Sequence, residues 1–499
     1  MNRSIVSILI FLLSAVPAVA QRTAEGKVFI DANANGVYDR GERLLGSVPV
    51  SNGSEIVVTD AKGRYKIDVV EGGSLFPVLP AGYTMSGGRV VNSHFIPYDS
   101  IRRRGNDFAL AECAVRTRFR LNAIGDMQVN GFQDLEYASR TLFPELLRAD
   151  SADINLFLGD QVNNKMHLHA PVYGMISRLP SRTYTVLGNH DRDVDSVHSR
   201  QVRSYCNSFG SDVYAFNEGE VHFVVLNNNK PDGARGYTEN LTDRSLCFLR
   251  NDLALVPAGR LVVIAMHAPL KYCKNRQALL DLVRGRNVLV ITGHMHRVMR
   301  FFHTSGDRII PEVVAGATCG TWWMGERDWD GVPMALQQGG TPRNYFVFDF
   351  NGTDYSYRCK GVGLDAGRQM SIYVTGVDTI DAHLRGLAQL GRGHALVNVW
   401  GGSDSTIVRC RVDGGRWQVC RKLKMTDPNV ERVVELNRSK GYPTPFSRRD
   451  PLRRSSSPQL WTYALASGEL EGPHLIEVEA SDRYGFRAGW SRVYCFPVE

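Results

Sequence analysis

The chain lacks CxxC pairs, internal repeats, any RNA- or DNA-binding signature and, beyond its first twenty residues, any apolar run near the ~20 residues needed to cross a membrane. The nine cysteines (Cys113, Cys206, Cys247, Cys273, Cys319, Cys359, Cys410, Cys420, Cys495) are scattered, which excludes zinc knuckles and thioredoxin-like chemistry. Their odd number leaves at least one thiol free within a single chain. Cys410 and Cys420 flank the turn sequence Asp413-Gly414-Gly415, which suits either a cross-strand disulfide or two buried thiols. With 43% hydrophobic and 22% charged residues, the 499-residue chain is neither collagen-like nor disordered nor a coiled coil. The formal charge of +8 (59 basic minus 51 acidic residues) is mild and permits an anionic substrate without requiring one.

The length predicts about three domains, each able to bury its own core. Residues 1–20 read as a signal peptide: Arg3 supplies the charge, Ile5–Val16 the apolar run, and Ala18-Val19-Ala20 the small-x-small cleavage site. The mature chain is then expected from Gln21, exported to the periplasm or outside the cell, with no membrane segment. Residues 21–112 read as a β domain, with alternating runs such as Lys27–Ile30 and Arg64–Ile67 between Gly/Asn/Asp turns. Residues 113–350 alternate buried-strand runs with helical stretches at Leu135–Leu147 and Arg276–Arg284, an α/β pattern. Residues 351–499 return to β alternation, and the polar stretch 424–458, with Arg448, Arg449, Arg453 and Arg454, reads as an exposed loop.

Five apolar runs of the middle segment end in metal-ligand residue types. Phe119–Ile124 leads to Asp126 and Gln128; Ile154–Leu158 to Asp160; Tyr184–Leu187 to Asn189, His190 and Asp191; Leu261–Ala265 to His267; and Val288–Ile291 to His294 and His296. In α/β sheets ligands gather at the carboxyl ends of strands. A single Gly-Asp is an ordinary turn and a single buried His an ordinary core residue. Five such endings in one order point to a metal centre.

This order (Asp-x-Gln, Gly-Asp, Gly-Asn-His-Asp, a lone His, Gly-His-x-His) resembles the calcineurin-like metallophosphoesterases. The whole chain is similar to secreted bacterial members of the Bacteroidetes type, in which N- and C-terminal β domains flank the catalytic domain. The resemblance implies an α/β core, a metallophosphoesterase-type β-sandwich flanked by helices, with an all-β domain on either side. It implies two divalent transition-metal ions (Mn, Fe, Zn or Ni), with Asp160 bridging. Asp126, Gln128 and His296 would complete one site, and Asn189, His267 and His294 the other. His190 would be the general acid, with Asp191 orienting its ring. The commonest pattern has His where Gln128 stands, so this chain brings a weaker neutral oxygen to the first site. His167 and His169 read as loop histidines. The implied activity is hydrolysis of a small-molecule or lipid- or glycan-linked phosphate ester or anhydride. The alternative is a degenerate core serving as an extracellular binding protein.

Two further signals stand apart. Asp31, Asn33, Asn35, Asp39 and Glu42 fit the spacing of a 12-residue calcium loop after a strand, and equally a metal-free Asn/Asp/Gly turn. Trp322, Trp323 and Trp329 suit an aromatic wall over the substrate's leaving group, or core packing.

Overall fold

The structure is a computed structural model that describes residues 22–87, 94–148, 152–378, 387, 389–439 and 451–497. The expected signal peptide and the arginines at 448 and 449 lie outside those residues.

In the N-terminal region, period-two alternation forms strands with one buried face: in Arg64–Asp68, Tyr65 and Ile67 are buried while Arg64 and Lys66 are exposed. Two four-stranded sheets result. One runs in the order Arg64–Asp68, Thr23–Ile30, Phe108–Glu112, Tyr83–Met85; the other Ile56–Val58, Pro49–Ser51, Ser74–Pro77, Ile96–Pro97. Val28, Val50, Leu75, Phe108 and Leu110 fill their core.

The middle region holds a five-stranded and a six-stranded sheet. The first places Arg118–Ile124 between Ile154–Phe157 on one side and Asn344–Asn351 on the other, with Arg182–Thr185 and Asp354–Gly361 at the edges. The second runs in the order Tyr214–Glu218, Val221–Val225, Leu261–Ala265, Asn287–Thr292, Arg308–Val314, Met299–Ser305. The continuous apolar run Leu261–Ala265 is buried at every residue, as a central parallel strand requires. The sheets face each other through aromatic rings: Tyr184 stacks 3.8 Å from Phe216, and Phe119 lies edge-on 6.1 Å from Phe223. Helices Phe132–Leu146, His169–Ile176 and Arg203–Phe209 share a core with the outer face of the five-stranded sheet through Leu142, Val172, Phe209 and Val347. Asp243–Leu253 and Arg276–Leu282 bury Phe248 and Leu279 in the core that includes the six-stranded sheet.

The C-terminal region holds two further four-stranded sheets, each antiparallel throughout. Two expectations are corrected here. The division at 350/351 cuts a hairpin, because Asp354–Gly361 pairs along its whole length with Asn344–Asn351 and completes the five-stranded sheet. Within the polar stretch after 424 lies the helix Pro428–Ser439, which buries Val430, Val433 and Leu436. Pro suits the first turn of a helix, and the Asp427 carboxylate accepts the Asn429 amide at 2.9 Å. Spacing by three hid this apolar stripe among charges. All nine cysteines are free thiols, and both Cys410 and Cys420 are buried.

Candidate metal centre

Five parallel strands, three from one sheet and two from the other, direct their carboxyl ends at one place. Asp126 and His267 each follow their strand by two residues, as does His294, while Asp160 and Asn189 lie slightly farther on. The turns are tight enough to exclude side chains: a Cβ on Gly188 would fall 2.0 Å from the Asp160 amide nitrogen, and one on Gly159, at φ +99°, 2.4 Å from His267 Nδ1. Gln128, Asp160, His294 and His296 all adopt left-handed backbone (φ 40°, 51°, 74° and 45°). Non-glycine residues cost roughly 1–3 kcal/mol each in such conformations, which persist where the surroundings over-determine them.

The histidine tautomers are set by backbone carbonyls. His267 Nδ1–H donates to Leu158 O at 2.8 Å, and His296 Nδ1–H donates to Gly320 O at 2.6 Å. Each ring therefore turns its Nε2 lone pair inward, His296 toward Asp126 Oδ1 at 3.7 Å and His267 toward Asp160 Oδ1 at 3.4 Å. His294 Nε2 lies 3.3 Å from the Glu239 carboxylate, so Nε2–H donates there and Nδ1 faces His267 Nε2 at 3.1 Å. Asn189 Oδ1 stands 3.0 Å from the same nitrogen. Oxygens and ring lone pairs thus meet face to face, a donor set that a cation holds together. Asp160, His267 and His294 present ligand atoms all within 4.8 Å of one another. Asp126 Oδ1 and Gln128 Oε1 are buried without hydrogen-bond partners among the described residues, as open ligand positions would be. The residues present therefore fit divalent metal.

Burial pushes the Asp126 carboxyl up to about 6, opposed chiefly by His267, and the Asp160 carboxyl up to about 7, opposed chiefly by His190. Burial also drives His296 down to about 3, which keeps it neutral, the form that binds metal.

All seven expected ligands belong to this cluster of strand ends. His190 adjoins it: its amide donates to Asp160 Oδ1 at 2.8 Å, and its Nδ1 is buried without a partner among the described residues. Asp191 is corrected. Its carboxylate accepts the Gly188 amide at 2.9 Å and the Val162 amide at 3.0 Å, so it fixes the backbone of the two ligand-bearing loops rather than the His190 ring. His167 is exposed. His169 is buried against Phe209, 5.2 Å away, and is not in the ligand cluster.

The tryptophans divide three ways: Trp323 is buried and donates to Met127 O at 3.0 Å, Trp329 is wholly exposed, and Trp322 stacks on His296 at 4.6 Å. The N-terminal loop closes on itself. Asp31 accepts the Asn35 and Gly36 amides, Asn33 and Asn35 donate to Asp39, and Glu42 accepts the Ala32 and Asp39 amides. Glu239 was not foreseen from the sequence. It is brought to His294 by the hairpin of Asn229–Asp232 and Gly236–Glu239, and no local motif marks it.

A two-sheet sandwich with a cluster of carboxylate, amide and imidazole groups at its strand ends defines a metallophosphoesterase-type core. Residues 119–298 match the family model for calcineurin-like phosphoesterase, and residues 312–487 match the model for the C terminal of calcineurin-like phosphoesterase. The chain belongs to the calcineurin-like phosphoesterases, a family of metal-dependent phosphoric ester hydrolases. Among solved structures it is similar to a purple acid phosphatase from yellow lupin (Lupinus luteus) seeds, at 10% identity and TM-score 0.36, covering 62% of this chain and 66% of that one. It is also similar to a spore cortex lytic enzyme of Clostridium perfringens, at 11% identity and TM-score 0.18, covering 77% of this chain and all of the other. No curated protein sequence matches it.

Proposed function

We propose that the chain is an exported hydrolase that cleaves a phosphate ester or anhydride with two divalent transition-metal ions. The reading is carried by the inward-facing lone pairs of His267 and His296, whose other ring nitrogens are tied to backbone carbonyls. In it, Asp126, Gln128 and His296 would hold one ion and Asn189, His267 and His294 the other, with Asp160 serving both. Bound there, the cations lower the pKa of water and offset charge on phosphoryl oxygens. His190 holds a proton at the leaving-group oxygen. Asp191 keeps the loops of Asp160 and His190 in register through the Gly188 and Val162 amides. Glu239 holds the His294 ring so that Nδ1 faces inward.

Export rests on the Ala18-Val19-Ala20 site, and mature protein beginning at or near Gln21 is the expected product. No helix among the described residues is long and apolar enough to cross a membrane. The Asp31–Glu42 loop has the spacing to hold Ca²⁺ as a structural staple, and its own hydrogen bonds equally support a metal-free turn. The test of the whole reading is metal analysis with turnover: two transition-metal equivalents and hydrolysis of chromogenic phosphates support it. One equivalent or none, with no turnover, supports the degenerate binding protein instead.

A further inference from the structure

A cavity of about 470 Å³ opens at Gln128, beside the metal centre, and runs beneath Trp322 and Pro333. Its volume falls in the range of small-molecule sites. Four amide side chains line it: Gln128, Asn130, Gln133 and Asn163. Gln128 is 3% exposed, and with its Oε1 turned to the proposed metal site its amide N–H groups are what it offers the cavity; the other three side chains make no hydrogen bond to a described residue. Primary amides each offer donors and an acceptor, so the wall presents unused neutral hydrogen-bonding capacity.

One face of the cavity is the Trp322 indole, 41% exposed and braced from behind by the His296 ring. Trp322 and Trp323 are both held at φ 55°, a conformation costly for a bulky side chain. Both line the cavity, but Trp323 is buried with its indole N–H committed to the Met127 carbonyl, which leaves Trp322 as the open face. Charge is sparse: the lining carries one base, Arg327, which donates to the Tyr137 hydroxyl and the Gly331 carbonyl, and one acid, Asp134. A flat aromatic platform with neutral amides suits a ring that carries hydroxyls. An acyl chain would displace water from the amides without replacing its hydrogen bonds, and a polyanion would find no cluster of cations in the lining.

We propose that this cavity binds the group esterified to the phosphate, and that this group is a neutral hydroxylated ring, the sugar of a sugar phosphate or of a nucleotide. The inference rests on the hydrolase reading above: Asn163 lines the cavity, and the amide of the next residue, Asn164, donates to the His190 carbonyl at 3.0 Å, which joins the cavity wall to the segment of the proposed acid.

The test compares kcat/KM of the metal-loaded full chain on a hexose phosphate, a nucleoside monophosphate, n-hexyl phosphate and methyl phosphate. At least one ring ester is expected to exceed hexyl phosphate by about tenfold or more, and which ring wins identifies the source. Gln133→Ala and Asn130→Ala, at exposed positions where folding is undemanding, are expected to cut the ring-to-methyl preference about fivefold to tenfold through KM. Equal turnover of hexyl and ring esters, or an unaltered preference in both variants, would overturn the subsite. Failure on all four esters with metals bound would overturn the hydrolase reading instead. In that event quenching of tryptophan fluorescence by a free sugar or nucleoside measures the cavity alone. Saturable quenching that disappears in Trp322→Phe upholds it, and its absence overturns it.

Discussion

Asp160 accepts the His190 amide at 2.8 Å and faces His267 Nε2 at 3.4 Å, so one carboxylate touches both the acid loop and the ligand cluster. Asp160→Ala is therefore expected to lose metal and activity together, read by metal analysis and turnover on one preparation. His190 contributes no ligand in the proposed scheme, and His190→Ala is expected to keep its metal while losing about 10²–10⁴-fold in rate on esters with poor leaving groups. The loss should shrink for leaving groups that need no proton. Gln128→Ala should be milder and respond to excess metal, because a neutral amide oxygen binds a transition metal more weakly than a carboxylate or an imidazole does. Full activity of His190→Ala on a poor leaving group would remove the acid role. These residues were legible because each closes an apolar run. What could not be read was where the Asp191 side chain points, since neighbouring sequence does not say whether a carboxylate meets a ring or two amides.

Among the elements, the strands leading to ligands lay within a residue or two of their expected positions, as continuous apolar runs permit. The helix Pro428–Ser439 escaped notice because its buried face after Pro428 is only Val430, Val433 and Leu436, interspersed with charges. Its start supplies a pH prediction. Burial pushes the Asp427 carboxyl up to about 7, although Asn398 and the Asn429 and Val430 amides hydrogen-bond to it. The folded state then holds this proton more tightly than the unfolded state, whose pKa is near 3.9, so this group's contribution to stability falls as pH rises from about 4 to about 7. Asp427→Asn should flatten that part of the urea-midpoint profile; an unchanged slope would contradict the burial argument. At the other end of the chain, Ca²⁺ on the Asp31–Glu42 loop predicts that EGTA lowers the melting temperature of the N-terminal region with little effect on turnover. Identical melting curves with and without millimolar calcium would leave the loop's own hydrogen bonds as its whole support.

Across the whole molecule, the two β regions are fastened to the core by different means. The N-terminal region packs Phe76 against Phe248 at 5.9 Å, and Arg244 and Asn251 donate to the Gly72 and Ser54 carbonyls. The C-terminal region is joined by Arg300 and Asp482, an ion pair buried on both sides, with the guanidinium 5.2 Å from the Tyr357 ring and 5.5 Å from that of Phe486. Removing one partner of such a pair strands the other charge, so Arg300→Met alone should cost about 3–5 kcal/mol in chemical denaturation. Replacing Asp482 by Leu as well should recover part of that loss. Neither residue announced its role in the sequence, because 182 positions separate them and only the folded chain brings them together.

The central claim is the pair of metal ions spanned by Asp160. Anomalous diffraction from crystals of the full chain grown with Mn²⁺ tests it most directly. Two peaks ~3.5–4 Å apart are predicted, with Asp160 touching both, Gln128 and His296 on one, and His267 and His294 on the other. A single peak, or two peaks that do not share Asp160, would contradict the account.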